Sequence, residues 1–114
     1  MLATVIDGDT NNVIGTIPVG DFPYGIGVNP NTNMIYVTNI NNNNVSVISG
    51  LTNTVVATVP VGASPRGVGV NPNTNTIYVA NTNDNSVSVI EGITNTVIAT
   101  VPVGNEPWGI GVNP

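Results

Sequence analysis

Histidine, lysine and cysteine are absent from the 114 residues, and Arg66 is the only basic side chain. Without cysteine there is no disulfide, no thiol nucleophile and no cysteine–metal site, although the compartment is left open. Without histidine or lysine, carboxylates and hydroxyls are the only groups left for proton transfer or nucleophilic attack. Six carboxylates (Asp7, Asp9, Asp21, Asp84, Glu91, Glu106) give a formal net charge of -5. One arginine cannot neutralise a row of phosphates, which argues against nucleic acid and against an anionic membrane surface. No apolar run approaches the roughly 20 residues that a membrane-spanning helix needs, so no membrane insertion is expected. The opening MLATVIDGDT lacks the basic start and long apolar core of a signal peptide.

What is present is mostly Asn, Thr, Val, Ile and Gly. Val, Ile and Thr suit the pleated sheet, whereas Asn, Gly and Pro punctuate turns. Hydrophobic residues make up 40% and fall in short alternating runs, so the chain can bury surface despite its low charge. The expectation is one all-β domain over 1–114.

The text of the sequence repeats every 42 residues. VNP ends at Pro30, Pro72 and Pro114, and PVG ends at Gly20, Gly62 and Gly104. Residues 31–72 and 73–114 align without gaps and agree at 30 of 42 positions, while 1–30 is a partial unit matching 43–72. A period of 40–45 residues with four short strands is the sequence form of a β-propeller blade. The predicted first strand is Gly25–Val28, Gly67–Val70 and Gly109–Val112. The second is Met34–Thr38 and Thr76–Ala80, and the third Ala3–Ile6, Val45–Ile48 and Val87–Ile90. The fourth is Asn12–Val19, Thr54–Val61 and Thr96–Val103. This gives four-stranded antiparallel meanders, about two full blades plus partial ones, and 11 strands in all. Glycine in the first strand suits a crowded axis, and Pro18, Pro60 and Pro102 place the fourth strand at the outer edge.

Ile35–Asn39 reads IYVTN and is followed by NNVSVI, TNTVVATVPVG and PRGVGVNP, so that essentially the whole unit resembles the YVTN family of β-propeller repeats. Ile77–Asn81, IYVAN, departs from it by one residue. The resemblance implies a surface-layer or secreted protein, extracellular or on the cell surface. Related propellers also occur in lactonase-like and quinoprotein-like enzymes, which leaves an enzyme fragment as the alternative. The near-identity of the two full units also leaves room for an engineered repeat assembly.

Strand alternation puts the loops joining strands two and three on the same face as the loops joining consecutive blades. That face is where the copies differ: DFPYG, ASPRG and NEPWG between blades, NINNNNV and NTNDNSV within them. The opposite face hardly changes (VNPNTN twice, GLTNT and GITNT). The candidate binding face therefore comprises Asp21, Phe22, Tyr24, Arg66, Glu106 and Trp108, with Tyr24, Arg66 and Trp108 at one slot in successive units. Aromatic side chains and Arg are common in binding hot spots, and aromatic faces suit sugars or peptides. The competing reading is a plug at the top of the axis, with Arg66 stacked on Trp108. Tyr36 and Tyr78 lie inside strands and are expected to pack between blades.

No set of carboxylates marks a catalytic or metal centre, so no catalytic residue, metal or cofactor is assigned. Asp7–Asn12, DGDTNN, resembles the start of a calcium loop, but its in-phase copies SGLTNT and EGITNT identify a strand-to-strand turn. Asn44-Val45-Ser46 fits a glycosylation pattern at the start of a strand. The partners expected are glycan or protein ligands, the missing blades of a longer chain, or further copies, two of which would give six blades.

Overall fold

The computed structural model describes all residues, 1–114. Ten strands form in chain order: β1 Leu2–Ile6, β2 Val13–Pro18, β3 Pro23–Asn29, β4 Met34–Asn39, β5 Asn44–Ser49, β6 Thr54–Pro60, β7 Pro65–Asn71, β8 Thr76–Asn81, β9 Ser86–Glu91 and β10 Thr96–Pro102. They make one two-stranded sheet, β1-β2, and two four-stranded antiparallel meanders, β3-β4-β5-β6 and β7-β8-β9-β10. These are propeller blades, two complete and one partial, and they do not close a ring.

Glycine sets how near the inner strands come. A Cβ on Gly25 would run into the Arg66 carbonyl oxygen, and one on Gly67 into that of Trp108. A Cβ on Gly27 would lie 2.7 Å from Val68 Cγ1. The first strands of consecutive blades thus touch backbone to backbone, as at a propeller axis.

The fourth strands form the outer edge, as their prolines require. Each also carries a bulge at the same repeat position. The register skips Ile14 between Val5 and Ile6, Val56 between Val47 and Ile48, and Ile98 opposite Val89 and Ile90. Proline and bulges both discourage further strand pairing.

The eleventh expected strand is not formed. Gly109–Val112 lies against β7, with Ile110 and Val112 beside Gly69, in the place that β7 takes against β3. It has no ladder because no second strand in this chain lies beside it. Strand identity is a property of the pair, and periodicity alone does not supply the partner.

The core lies between blades. Tyr36, Val45, Val47 and Val59 of one blade meet Ile77, Val79 and Ile90 of the next. A smaller cluster, Ile17, Val37 and Ile48, joins the partial blade to its neighbour. Polar groups are built into the same seams. Asn29 Nδ2 donates to Asn75 Oδ1 at 2.9 Å, and Asn31 Nδ2 to the Pro72 carbonyl at 3.2 Å. The last residue of IYVTN is structural: buried Asn39 donates to Ser46 Oγ at 2.9 Å, and its counterpart Asn81 to Ser88 Oγ at 2.8 Å.

Candidate functional site

The loops that carry the variable residues are built on an Asn-rich scaffold. After β4 and β8 the chain makes single 3-10 turns, Ile40–Asn42 and Thr82–Asp84, each ended by an asparagine in the left-handed region, Asn43 and Asn85. Asparagine tolerates that conformation, and its short side chain reaches nearby backbone. Asn43 Oδ1 accepts from the Ser64 N–H at 3.0 Å, and Asn85 Oδ1 from the Glu106 N–H at 2.9 Å. Met1 occupies the equivalent position in the partial unit, where its Sδ accepts from the Phe22 N–H at 3.2 Å. The 3-10 turns lean on the same loops. Ile40 N–H donates to the Phe22 carbonyl at 3.0 Å, and Thr82 N–H to that of Ser64 at 3.1 Å. Both loop sets therefore lie on one face.

On this platform Tyr24, Arg66 and Trp108 come together. The Tyr24 and Trp108 rings meet edge to face, with centroids 6.0 Å apart and planes at 80°. The Arg66 guanidinium carbon lies 4.0 Å from the Trp108 centroid and 5.7 Å from that of Tyr24. These are stacking and cation–π distances. Tyr24 is 51% exposed and Trp108 49%, so the rings cap the axis while keeping a wet surface. Arg66 Nε is buried with no hydrogen-bond partner.

Asp21, Phe22 and Glu106 sit on the same loops but in framing roles. Asp21 N–H donates to Asn42 Oδ1 at 2.8 Å, and its carboxylate accepts from Asn41 Nδ2 at 3.3 Å. Phe22 and Glu106, together with Ser64 in the equivalent slot, have positive φ (56°, 52° and 54°). Sequence reasoning missed this because none of the three residues is a usual left-handed former. The alignment of slots 64 and 106 with Asn43 and Asn85 of the preceding turns was the available signal.

Two threonines beneath the trio were also missed. Thr38 Oγ1 donates to the Arg66 carbonyl at 2.7 Å and accepts from the Gly25 N–H at 2.8 Å, bridging consecutive blades below Arg66. In the next unit that position is Ala80, and the bridge moves. Thr82 Oγ1 donates instead to the Pro107 carbonyl at 2.8 Å.

No three acidic side chains come together in the molecule. Asp7–Asn12 forms a turn, with Asp7 Oδ1 accepting from the Asp9 N–H at 3.0 Å and Oδ2 from Thr10 Oγ1 at 3.1 Å. In the glycosylation-type triplet, Asn44 Oδ1 accepts from Asn39 and Ser46 is buried in the sheet.

Tyr36 packs between blades as expected. Tyr78 does not, because the face it belongs to has no neighbour. It lines an open groove of about 260 Å³ with Val87, Ile110 and Val112.

No family model matches the sequence, and no curated protein matches it significantly. Solved structures do. A functionally unknown protein from Desulfotomaculum acetoxidans superposes with a TM-score of 0.85 at 23% identity, over 98% of this chain and 38% of that one. AztD from Citrobacter koseri superposes with a TM-score of 0.79 at 18% identity, over 93% and 30%. Kuenenia stuttgartiensis hydrazine synthase superposes with a TM-score of 0.75 at 26% identity, over 81% and 26%. The chain is similar to a minor part, from 26% to 38%, of each of these proteins, and the likeness is one of propeller fold.

Proposed function

We propose that this chain is a non-catalytic β-propeller module of the YVTN-repeat kind, working outside the cell or on its surface and presenting its loop face to a glycan or protein partner. The observation that carries the reading is the half-exposed stack of Tyr24, Arg66 and Trp108 on the most variable face. Aromatic faces stack on sugar rings and peptide planes, and a guanidinium stacked on one ring keeps in-plane donors for a ligand oxygen. The composition supports it, since carboxylates and hydroxyls are the only groups available for chemistry and no three of the carboxylates come together. Copies joined end to end, two giving six blades, would cover the open Tyr78 face.

The test is a screen of the chain against a glycan array and a peptide library, with Arg66→Ala and Trp108→Ala beside it. Every hit should weaken at least tenfold in both variants while the unfolding midpoint hardly moves. A marked fall in the unfolding midpoint, with affinity unchanged in whatever remains folded, would make the trio a plug of the axis.

A second reading is favoured by the 26% identity to hydrazine synthase, an enzyme by name. Here the chain is part of a propeller enzyme whose catalytic residues lie in other blades. Further repeats in the parent gene carrying His, or extra Asp and Glu in the loop positions, would favour it over the first.

A further inference from the structure

Arg66 is the one cationic side chain beside six carboxylates, yet it pairs with none of them. Its Nε is buried and has no hydrogen-bond partner. A buried, charged donor without an acceptor is costly, so an arginine placed this way calls for one. The units on both sides of Arg66 are present: Tyr24 precedes it and Trp108 follows it at the same slot, and both rings lie against it.

The loops around Arg66 do not supply the acceptor. Asp84 Oδ2 accepts from the Ala63 N–H at 2.7 Å, and Asp21 Oδ2 from Asn41 Nδ2 at 3.3 Å, so these carboxylates are tied to the loop scaffold. The backbone that carries Arg66 is fixed as well. The Arg66 carbonyl takes Thr38 Oγ1 at 2.7 Å, and buried Pro65 precedes it. Ser64 donates its N–H to Asn43 Oδ1 at 3.0 Å and accepts at its hydroxyl from Asn83 Nδ2 at 2.8 Å. From this base the guanidinium lies over the Trp108 ring, 4.0 Å from the centroid. A stacked guanidinium has one face covered and its donors directed outward in its own plane. That is the geometry that takes a carboxylate by two parallel hydrogen bonds, and little ordering remains to be done on binding.

We infer that Arg66 is a carboxylate-binding site, and that the carboxylate belongs to a uronic acid residue of a glycan. This rests on the loop-face reading above and names the ligand class of that face. The guanidinium takes the carboxylate edge-on, and the aromatic rings beside it offer the sugar ring a surface to stack on. The surrounding charge selects sugar over peptide. A uronic acid sets each carboxylate among neutral hydroxyls, and hydroxyls donate to carboxylates such as Asp21 and Glu106 on the flanking loops. An acidic peptide sets a run of further carboxylates against those same groups, on a chain of formal net charge -5.

Trp108 is the only tryptophan and Arg66 lies on it, so its emission reports occupancy. Trimers of galacturonic, glucuronic, mannuronic and guluronic acid are titrated into the full chain, each beside its methyl ester, with triglutamate alongside. At least one acid trimer should change the emission saturably, and its ester should bind about tenfold more weakly or worse, as for a lost charge-assisted bond. Arg66→Gln should lose the same factor for the acid and almost nothing for the ester. Affinity for the acid should fall as salt is raised. If Arg66→Gln does not fold, the comparison of acid with ester in the unaltered chain decides. Equal affinity for acid and ester, or full affinity in a folded Arg66→Gln variant, would overturn the carboxylate site. Binding of no acid trimer would overturn it too; hits among neutral glycans in the screen above would then leave the loop-face reading standing, and an empty screen would remove both. Tighter binding of triglutamate than of every acid trimer would overturn the sugar and assign the site to an acidic peptide.

Discussion

One set of residues lives two lives in this molecule. Tyr36, Val45, Val47, Ala57 and Val59 face the following blade, and the tyrosine and the three valines are buried there. Their counterparts 42 residues on are Tyr78, Val87, Val89, Ala99 and Val101. These carry the same side chains on the same strands and face no blade at all; Val101 is 44% exposed. Sequence and local structure are held constant between the two sets, and only the neighbour differs. A blade's side chains are therefore prepared for burial by the repeat but are buried only by the next unit, which is how stacked repeats divide their stability between unit and seam.

The largest effect should separate these two faces. Tyr36→Ala is expected to cost about 3–5 kcal/mol in urea unfolding, against about 1 kcal/mol for Tyr78→Ala. If copies associate through the open face, the Tyr78→Ala cost should rise with protein concentration towards that of Tyr36→Ala. A next test concerns the seams. Thr38→Val removes the bridge to the Arg66 carbonyl and should cost about 1–3 kcal/mol, and Thr82→Val should cost less because its seam is the open one. Tyr36→Phe sharpens the comparison in the other direction. The Tyr36 hydroxyl is buried without a partner, and burial, then the charge of Glu91, pushes its pKa up. Removing it should stabilise by roughly 1 kcal/mol, measured by the same unfolding curves.

The smallest effect is one of pH at a turn that differs between units. The Ile93 and Thr94 N–H groups donate to the Glu91 carboxylate at 3.0 and 2.9 Å, holding its pKa below the usual 4.5. A depressed carboxylate pKa stabilises the fold above the unfolded value and loses that contribution as pH falls through the folded one. Glu91→Ser, the residue found at position 49, should flatten this part of the acid limb in unfolding curves recorded from pH 6 downward.

Much of this was legible in the sequence. The 42-residue period gave the blades, the alternation gave the faces, and proline gave the outer edge. The meeting of Tyr24, Arg66 and Trp108 was legible as well, because equal slots in stacked units must be neighbours in space. Their stacking geometry was not, since side-chain torsions leave no trace in spacing. Gly109–Val112 read as a strand because its pattern is that of Gly25–Val28; a pattern cannot report whether a partner lies beside it. The exchange of Thr38 for Ala80 read as a loss. Only the structure shows the hydroxyl reappearing at Thr82, which bridges the following seam through the Pro107 carbonyl as Thr38 bridges its own through that of Arg66.

The glycines of the inner strands have a consequence at the level of the gene. Because Gly25 and Gly67 let backbone meet backbone, each blade recognises the next through features every unit possesses. A recombination that inserts or deletes one unit within the array therefore creates no foreign junction, and the product folds through seams already tried. Blade number can then drift between generations without passing through a misfolded ancestor, while the variable loops are carried along as interchangeable cassettes.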